Sequence, residues 1–404
     1  MSENLDEYRW LVSDEARPWL EKAAATEDDP TSLLATTIVL RRDLGASRTH
    51  LVIAQAQLRR RARTKFSQAR RMFFTRQLLA QATDEQLARY KALRFPIDEP
   101  VADLCCGIGG DLIGLADRCQ TLGVDRDEVA ALLAQTNCAA LGLEGTSICT
   151  RDVVSVGLDN FAAWHLDPDR RPQRQRTTDL ELHDPDLSVM QQLLERHPAG
   201  AIKLAPATVV PESWQEQAEL EWIGNRGECR QQIAWFGPLA RHPGQRAATV
   251  FTNGTPSSHS ITGDVGAEVP ATEKVGRYVF EPHSAVLAAD LAGVVAERHA
   301  LIAITPDIPY FTGDAAVRAP ELSCYEVLEA LPFNLRRLRP LLRQRRIGRL
   351  EIKKRGVRLT PEQVRSELSL RGDQAATLLL MPLRKKVLAV LCRRVDSCAV
   401  ESPV

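Results

Sequence analysis

The sequence predicts an α/β protein: a parallel sheet with helices on both faces, a helical region ahead of it and a smaller α/β domain behind it. Three observations carry this expectation. From Val101 onward, short apolar runs alternate with stretches of helical periodicity, the pattern of parallel strands joined by crossover helices. Before that point, apolar and charged residues interleave at helical spacing. A stretch rich in Gly, Ser, Thr and Pro, residues 253–271, then separates the first strand–helix region from a second one.

Taken in order, helices are expected over 18–25, 31–42 and 47–65, with Met72, Phe73, Leu78 and Leu79 continuing the pattern. Thr83-Asp84-Glu85-Gln86 has the form of a capping box that opens a helix toward Leu93, and Pro96 and Pro100 end the helical stretch. Seven strands are expected near 100–104, 120–124, 146–149, 162–166, 201–204, 232–235 and 247–251, with helices over 111–118 and 127–141. The polar stretch 170–186 reads as a long loop, the kind that carries function or mobility. Beyond the linker, 277–280 and 300–304 read as strands flanking a helix over 284–297. Thr360-Pro361-Glu362-Gln363 is a second capping box, and 376–381 with 386–392 can close a hairpin. The division that follows is a helical region 1–95, a core 96–255, a linker 256–272 and a C-terminal domain 273–404.

Bulk properties exclude several classes. A length of 404 residues allows two or three buried cores. Lys plus Arg and Asp plus Glu each number 52, so only local clustering can argue for a polyanionic partner. The acidic start Met1-Ser2-Glu3-Asn4-Leu5-Asp6-Glu7 lacks the apolar core of a secretory signal. The apolar window 285–304 is interrupted by Asp290, Glu297, Arg298 and His299, which argues against a bilayer span. Nine scattered cysteines without a C-x-x-C pair read as reduced thiols of a cytoplasmic protein, with no disulfide frame and no metal site.

The chemistry concentrates at Asp103-Leu104-Cys105-Cys106-Gly107-Ile108-Gly109-Gly110-Asp111, where a strand turns into a helix. Gly107 and Gly109 let the backbone approach a ligand. Asp103 ends the first strand, where an acid can engage a cationic amino group. Asp125 ends the second and can accept from both hydroxyls of a ribose; Asp152 follows the third and can take an adenine amino group; Asp167 follows the fourth. Each acid alone could equally be a helix cap or turn residue, but four successive strand ends place all of them on one edge of a sheet. A dinucleotide fingerprint would need glycine where Leu112 stands, and no Gly-Lys-Ser/Thr follows for a P-loop. S-adenosylmethionine is the ligand expected.

The loop resembles the first motif of class I methyltransferases, in the D-x-x-x-G-x-G-G-[DN] form of trimethylguanosine-synthase-like RNA guanine methyltransferases. The segment from Lys65-Phe66 through Phe74-Thr75-Arg76 is similar to the helical segment ahead of the core in that group. With Leu331-Pro332-Phe333-Asn334-Leu335 through Ile352-Lys353-Lys354-Arg355-Gly356, the chain resembles bacterial methyltransferases that carry a THUMP-like C-terminal domain. The resemblance implies a Rossmann-like seven-strand core. It also implies a cofactor site at Asp103, Cys105, Gly107, Gly109, Asp125 and Asp152.

Methyl transfer would occur after the fourth strand, at Asp167-Pro168-Asp169-Arg170-Arg171. Amino-directed relatives carry [DN]-P-P-[YFW] here, where the acid or amide and the next carbonyl accept from the target amine and the aromatic stacks on the base. This chain keeps Asp167 and Pro168 but has Asp169 for the second proline and Arg170 for the aromatic. Arg170 could stack through its guanidinium plane or hold a phosphate. Lys203 and Pro206 could line the acceptor pocket, though a strand-end lysine and a turn proline explain them as well. Trp164 and His165 read as core residues of the fourth strand.

Two basic clusters point to a partner. Arg59, Arg60, Arg61, Arg63 and Lys65, with Arg70, Arg71 and Arg76, form the first. The second runs through Arg336, Arg337, Arg339, Arg343, Arg345, Arg346 and Arg349 to Lys353, Lys354 and Arg355. Leu335, Leu338, Leu341 and Leu342 give the second cluster's helix an inner face, so its arginines lie outside. Arginine-rich faces track phosphates, and THUMP domains of related enzymes bind structured RNA. The expectation is a methyltransferase acting on a base in structured RNA (rRNA or tRNA). The alternatives are a protein or small-molecule acceptor, or a donor-binding protein without catalysis.

Overall fold

A computed structural model of the chain describes residues 4–26, 30–170, 177–252 and 257–395. The helical extension begins earlier than its apolar spacing suggests. Asn4 accepts from the Asp6 amide and opens α1 (Leu5–Leu11), with Asp6 and Glu7 in the first turn where the helix dipole favours acids. After α2 (Arg17–Ala24), the two helices expected over 31–42 and 47–65 follow end to end as α3 (Pro30–Ala62), separated by a kink where the non-helical Gly45 takes φ +75°. α4 (Arg76–Gln81) and α5 (Glu85–Ala92) complete the extension. The capping box expected at Thr83 does not form. Asp84 has the extended backbone an N-cap needs and accepts from the Leu87 amide, while Thr83 donates to Asp111 at 2.8 Å.

The core follows as β1 (Val101–Leu104), α6 (Leu112–Ala116), β2 (Thr121–Asp125), α7 (Glu128–Leu141), β3 (Thr146–Thr150), β4 (Ala163–Leu166), α8 (Leu187–Arg196), β5 (Gly200–Leu204) and α9 (Glu212–Gln217). β6 (Glu219–Asn225), β7 (Glu228–Trp235), β8 (Arg246–Phe251) and β9 (Ser258–Gly263) extend one sheet of order β3-β2-β1-β4-β5-β7-β6-β8-β9. The pairs β1–β2, β2–β3, β1–β4 and β4–β5 are parallel. From β1 the chain builds outward to β2 and β3, then returns to build β4 and β5 on the other side. That reversal opens a crevice at the carboxyl ends of β1 and β4.

The sheet carries nine strands rather than seven, and both additions have a physical reason. β6 contains Glu219, Glu221 and Asn225, which break the apolar pattern yet are buried. Glu219 takes a two-pronged bond from Arg94 at 2.7 Å, and Glu221 accepts from Thr249 at 2.5 Å, so each buried carboxyl has a hydrogen-bond partner. β9 falls inside the stretch read as a linker, 256–272. Its polar Ser258, His259 and Ser260 hide a strand whose backbone pairs antiparallel with β8. Extended rather than helical structure also holds Met72 and Phe73. Asn137 of α7 accepts from the Phe73 amide at 2.6 Å and donates to the carbonyls of Phe73 and Ile108, at 3.1 and 3.0 Å. A single buried amide thereby fastens the extension to the β1–α6 loop.

The remaining elements are β10 (Tyr278–Pro282), α10 (Ser284–Ala288), α11 (Ala292–Arg298), β11 (Ile302–Thr305), β12 (Ile308–Gly313), β13 (Leu322–Pro332), α12 (Leu335–Gln344), β14 (Ile347–Lys354), α13 (Pro361–Leu368), β15 (Gln374–Leu383) and β16 (Lys386–Arg394). They form a second sheet of order β11-β12-β10-β13-β16-β15-β14. The helix expected over 284–297 is broken in two, with Asp290 at φ +60° between the pieces. The capping box at Thr360 forms, and the expected hairpin lengthens into β15 and β16. α12 buries Leu338 and Leu342, as its apolar spacing predicts. The chain makes two compact units, Met1–Glu219 with Ile233–Gly244, and Leu220–Gln232 with Gln245–Val404.

Candidate active site

A cleft of about 400 Å³ opens at the carboxyl ends of the β1–β4 strands, within the range that suits small-molecule ligands. Its floor is the β1–α6 loop, which reaches this shape through three left-handed residues: Cys105 (φ +57°), Gly107 (φ +57°) and Gly109 (φ +83°). Glycine meets that demand without strain at two of the three. At Cys105 an ordinary side chain does so, and burial together with Asp125, Asp167, Asp103 and Asp184 pushes its thiol well up. Cys105 stays protonated and serves the loop through its backbone.

Five of the residues singled out from sequence line the cleft: Cys105, Gly107, Asp125, Asp152 and Asp167. Asp125 closes β2 with both oxygens engaged, accepting from the amides of Gly107 and Asp127 at 2.9 Å each. Burial raises its carboxyl above the usual range, and the two amides only partly offset this. Each oxygen keeps a lone pair for a ligand hydroxyl. Asp152 is a cap as well as a wall residue, accepting from the Val154 amide at 3.1 Å. Asp167 pairs with Lys203 of β5 at 2.5 Å, and Lys203 also donates to the Gln81 carbonyl at 3.3 Å. The strand-end lysine thus fixes the proposed acceptor-orienting acid.

Asp103, Gly109, Pro168 and Arg170 are not among the lining residues. Asp103 is turned into the sheet's packed face, where its Oδ1 bonds His165 Nδ1 at 2.7 Å. Its Oδ2 is buried without a hydrogen-bond partner among the described residues. Pro168 is buried and Arg170 half-buried, and Arg171 lies outside the described residues. Trp164 and His165 are buried, as read.

Sequence reasoning missed the rest of the wall. Gln77, Gln81 and Thr83 come from the helical extension, while Asp111, the acid that ends the loop motif, had been given no role of its own. His183, Asp184 and Asp186 come from the far end of the 170–186 loop. That loop returns because Asp169 and Asp184 exchange backbone bonds of 2.8 and 3.0 Å, while Gln81 donates to the Asp169 carboxylate at 2.7 Å. Burial holds His183 below its ordinary range. The only available signal was Asp at the far end of a long polar loop.

Charge decides what such a cleft can hold. Eight aspartates line it (111, 125, 127, 152, 167, 169, 184 and 186) against two arginines, 126 and 151, and Arg126 is paired with Asp184. A pyrophosphate would be repelled, whereas a ligand with a sulfonium and an ammonium group is favoured. The orphaned Asp103 Oδ2, beneath the loop, is the kind of acceptor that an ammonium group satisfies. The residues present fit S-adenosylmethionine. Among the described residues, no three His, Cys, Asp or Glu side chains group as a metal site, and no helix is long and apolar enough to cross a membrane.

The basic clusters divide into inner and outer residues. Arg59 donates to the Met72 carbonyl and stacks over Phe73, and Lys65 donates to the carbonyls of Leu79 and Ala82, so both are structural. Lys353 and Arg355 are likewise engaged, pairing with Glu281 at 2.6 and 3.1 Å. Arg61, Arg70, Arg71 and Arg76 are exposed, as are Arg336, Arg337 and Arg343 of α12.

Known proteins place these features. A family model described as THUMP domain-like matches residues 322–394, the span from β13 to β16. An uncharacterized S-adenosylmethionine-dependent methyltransferase of Mycobacterium tuberculosis is 32% identical over 351 residues, covering 83% of this chain and 94% of its own. In fold, the chain is similar to a Porphyromonas gingivalis W83 protein designated a methyltransferase. The TM-score is 0.74 at 21% identity, over 88% of this chain and 94% of that one. With that relative matched nearly end to end and a cleft suited to its cofactor, the chain belongs to the S-adenosylmethionine-dependent methyltransferases.

Proposed function

We propose that this methyltransferase modifies a base in structured RNA of the rRNA or tRNA kind. The observation that carries the reading is the outward arginine face of α12, inside the THUMP-like span. Arg336, Arg337 and Arg343 have no ion pair among the described residues, so they are available to phosphates. A second exposed pair, Arg61 and Arg76, lines a cavity of about 320 Å³ in the helical extension. The loop form at Asp103–Asp111 supports kinship of the core with trimethylguanosine-synthase-like guanine methyltransferases, and the reading places the protein in the cytoplasm.

The donor supplies a methyl group already activated on its sulfonium, so the protein's task is placement. Asp103, Cys105, Gly107, Gly109, Asp125 and Asp152 would hold the donor. Asp167, fixed by Lys203, would accept a hydrogen bond from the target amine at the end of β4. Pro168 would set the turn that aims the next carbonyl, and Arg170, which does not line the cleft, would hold a phosphate rather than stack on the base. Eight wall carboxylates would repel a phosphate inside the cleft, so only the base enters while the backbone stays on the arginines.

The same acidity favours a second reading, a small neutral or cationic acceptor. Incubation with methyl-labelled donor and total cellular RNA, followed by nucleoside analysis, separates the two. One labelled nucleoside, lost in Asp167→Ala, is expected. Label confined to small molecules or protein would replace the RNA reading, and donor binding without any transfer would make the chain a non-catalytic binder.

A further inference from the structure

Behind the cleft floor, five buried side chains form one continuous chain. Thr83 donates to Asp111 Oδ2 at 2.8 Å, and Lys91 pairs with Asp111 Oδ1 at 2.5 Å. Lys91 Nζ lies 3.1 Å from His165 Nε2, and His165 Nδ1 lies 2.7 Å from Asp103 Oδ1. Lys91 is 2% exposed and Asp103 and His165 1% each, so none of these three can be serving solvent. A lysine is rarely hidden so completely without a partner that requires it.

The elements dictate the arrangement. Asp103 and His165 are register partners on the parallel strands β1 and β4, and therefore share one face of the sheet. α5 covers that face and brings Lys91 down onto it. Its close approach depends on Gly114 of α6, where an added Cβ would lie 2.4 Å from the Ala88 carbonyl oxygen. Lysine has only donors, so His165 Nε2 must accept. The imidazole proton then sits on Nδ1 and is donated to Asp103. The bonds assign the tautomer.

The two carboxylates in this chain are the two ends of the cofactor loop. Asp103 begins it and Asp111 ends it. We propose that Lys91 and His165 are positioning residues for donor binding: together they tie both ends of the Cys105–Gly110 loop from beneath, without touching the ligand. Burial raises Asp103, while the Lys91 ammonium, helped by Lys203, holds Asp111 well below the usual carboxylate range despite its burial, consistent with Lys91 as the shared counter-charge. The helical extension is then part of the cofactor site's construction, since Lys91 and Thr83 both come from it. The inference rests on the loop being the donor site.

The test uses the full chain and S-adenosylmethionine in calorimetric titration, at a temperature where circular dichroism shows each variant folded. Lys91→Met and His165→Leu should each weaken donor affinity by about tenfold or more. His165→Gln, whose amide can still donate to Asp103 and accept from Lys91, should recover most of the loss; a merely space-filling role would give no such recovery. In parallel, hydrogen exchange of the 105–110 amides should quicken in Lys91→Met and His165→Leu without ligand. Imidazole nitrogen shifts should show the wild-type His165 proton on Nδ1. Unchanged affinity and unchanged loop protection in both variants would overturn the proposal, as would a proton on Nε2. If Lys91→Met does not fold, the histidine pair decides the matter alone. Absence of donor binding by the wild type would instead overturn the site assignment, and the exchange and tautomer arms would still judge the network.

Discussion

Asp125 stands where a single residue's electrostatics can be read out. It accepts two backbone amides, yet burial leaves its carboxyl raised in the free protein. A ligand ribose would donate to the ionised form and so favour it over the protonated form. Donor affinity is therefore full above the raised value and falls as the pH drops through it. Titrations with S-adenosylmethionine from neutrality into the carboxylate range should show this loss. Asp103 is raised as well, so the diagnostic quantity is the difference between wild type and Asp125→Asn, whose profile should be flatter and weaker throughout. Identical pH profiles would remove Asp125 from the site.

At the scale of elements, α12 separates charge that binds from charge that builds. Leu338 and Leu342 anchor it, leaving Arg336, Arg337 and Arg343 exposed, while Lys353 and Arg355 of the neighbouring sequence are committed to Glu281. Replacing the three exposed arginines by glutamine should lower the slope of log affinity for RNA against log salt by about 0.7–0.9 for each phosphate that those side chains neutralise. Stability should stay within about 0.5 kcal/mol, since the positions are superficial. Filter binding across a salt series measures the first, chemical denaturation the second. An unchanged slope would move the RNA path off this helix. Lys353→Met should behave in the opposite way, costing stability by leaving the buried Glu281 to Arg355 without its second cation.

Across the whole molecule, legibility followed the kind of physics involved. Strand–helix alternation is local, and every strand expected in the core is present. Helix ends set by Asn4 or Asp84 depend on one residue's backbone and were placed less well, whereas the bend at Gly45 falls in the gap expected between 42 and 47. β6 and β9 escaped because buried Glu219 and Glu221, and the polar run from Ser258, do not look like strand residues until their partners are known. In the cleft, residues that close strands were readable, because chain order alone places them on one edge. Gln81, Thr83 and His183 were not, since their approach depends on long-range bonds such as Gln81 to Asp169. Asp103 was half right: it sits at the expected strand end, but its side chain turns to His165 instead of the cleft wall.

The central claim is that the β1–β4 strand ends hold S-adenosylmethionine, and calorimetric titration of the intact chain tests it most directly. The account predicts saturable binding of one donor per chain, weakened about tenfold or more by Asp125→Ala and by Asp103→Ala. No detectable binding, or wild-type affinity in both variants, would contradict it.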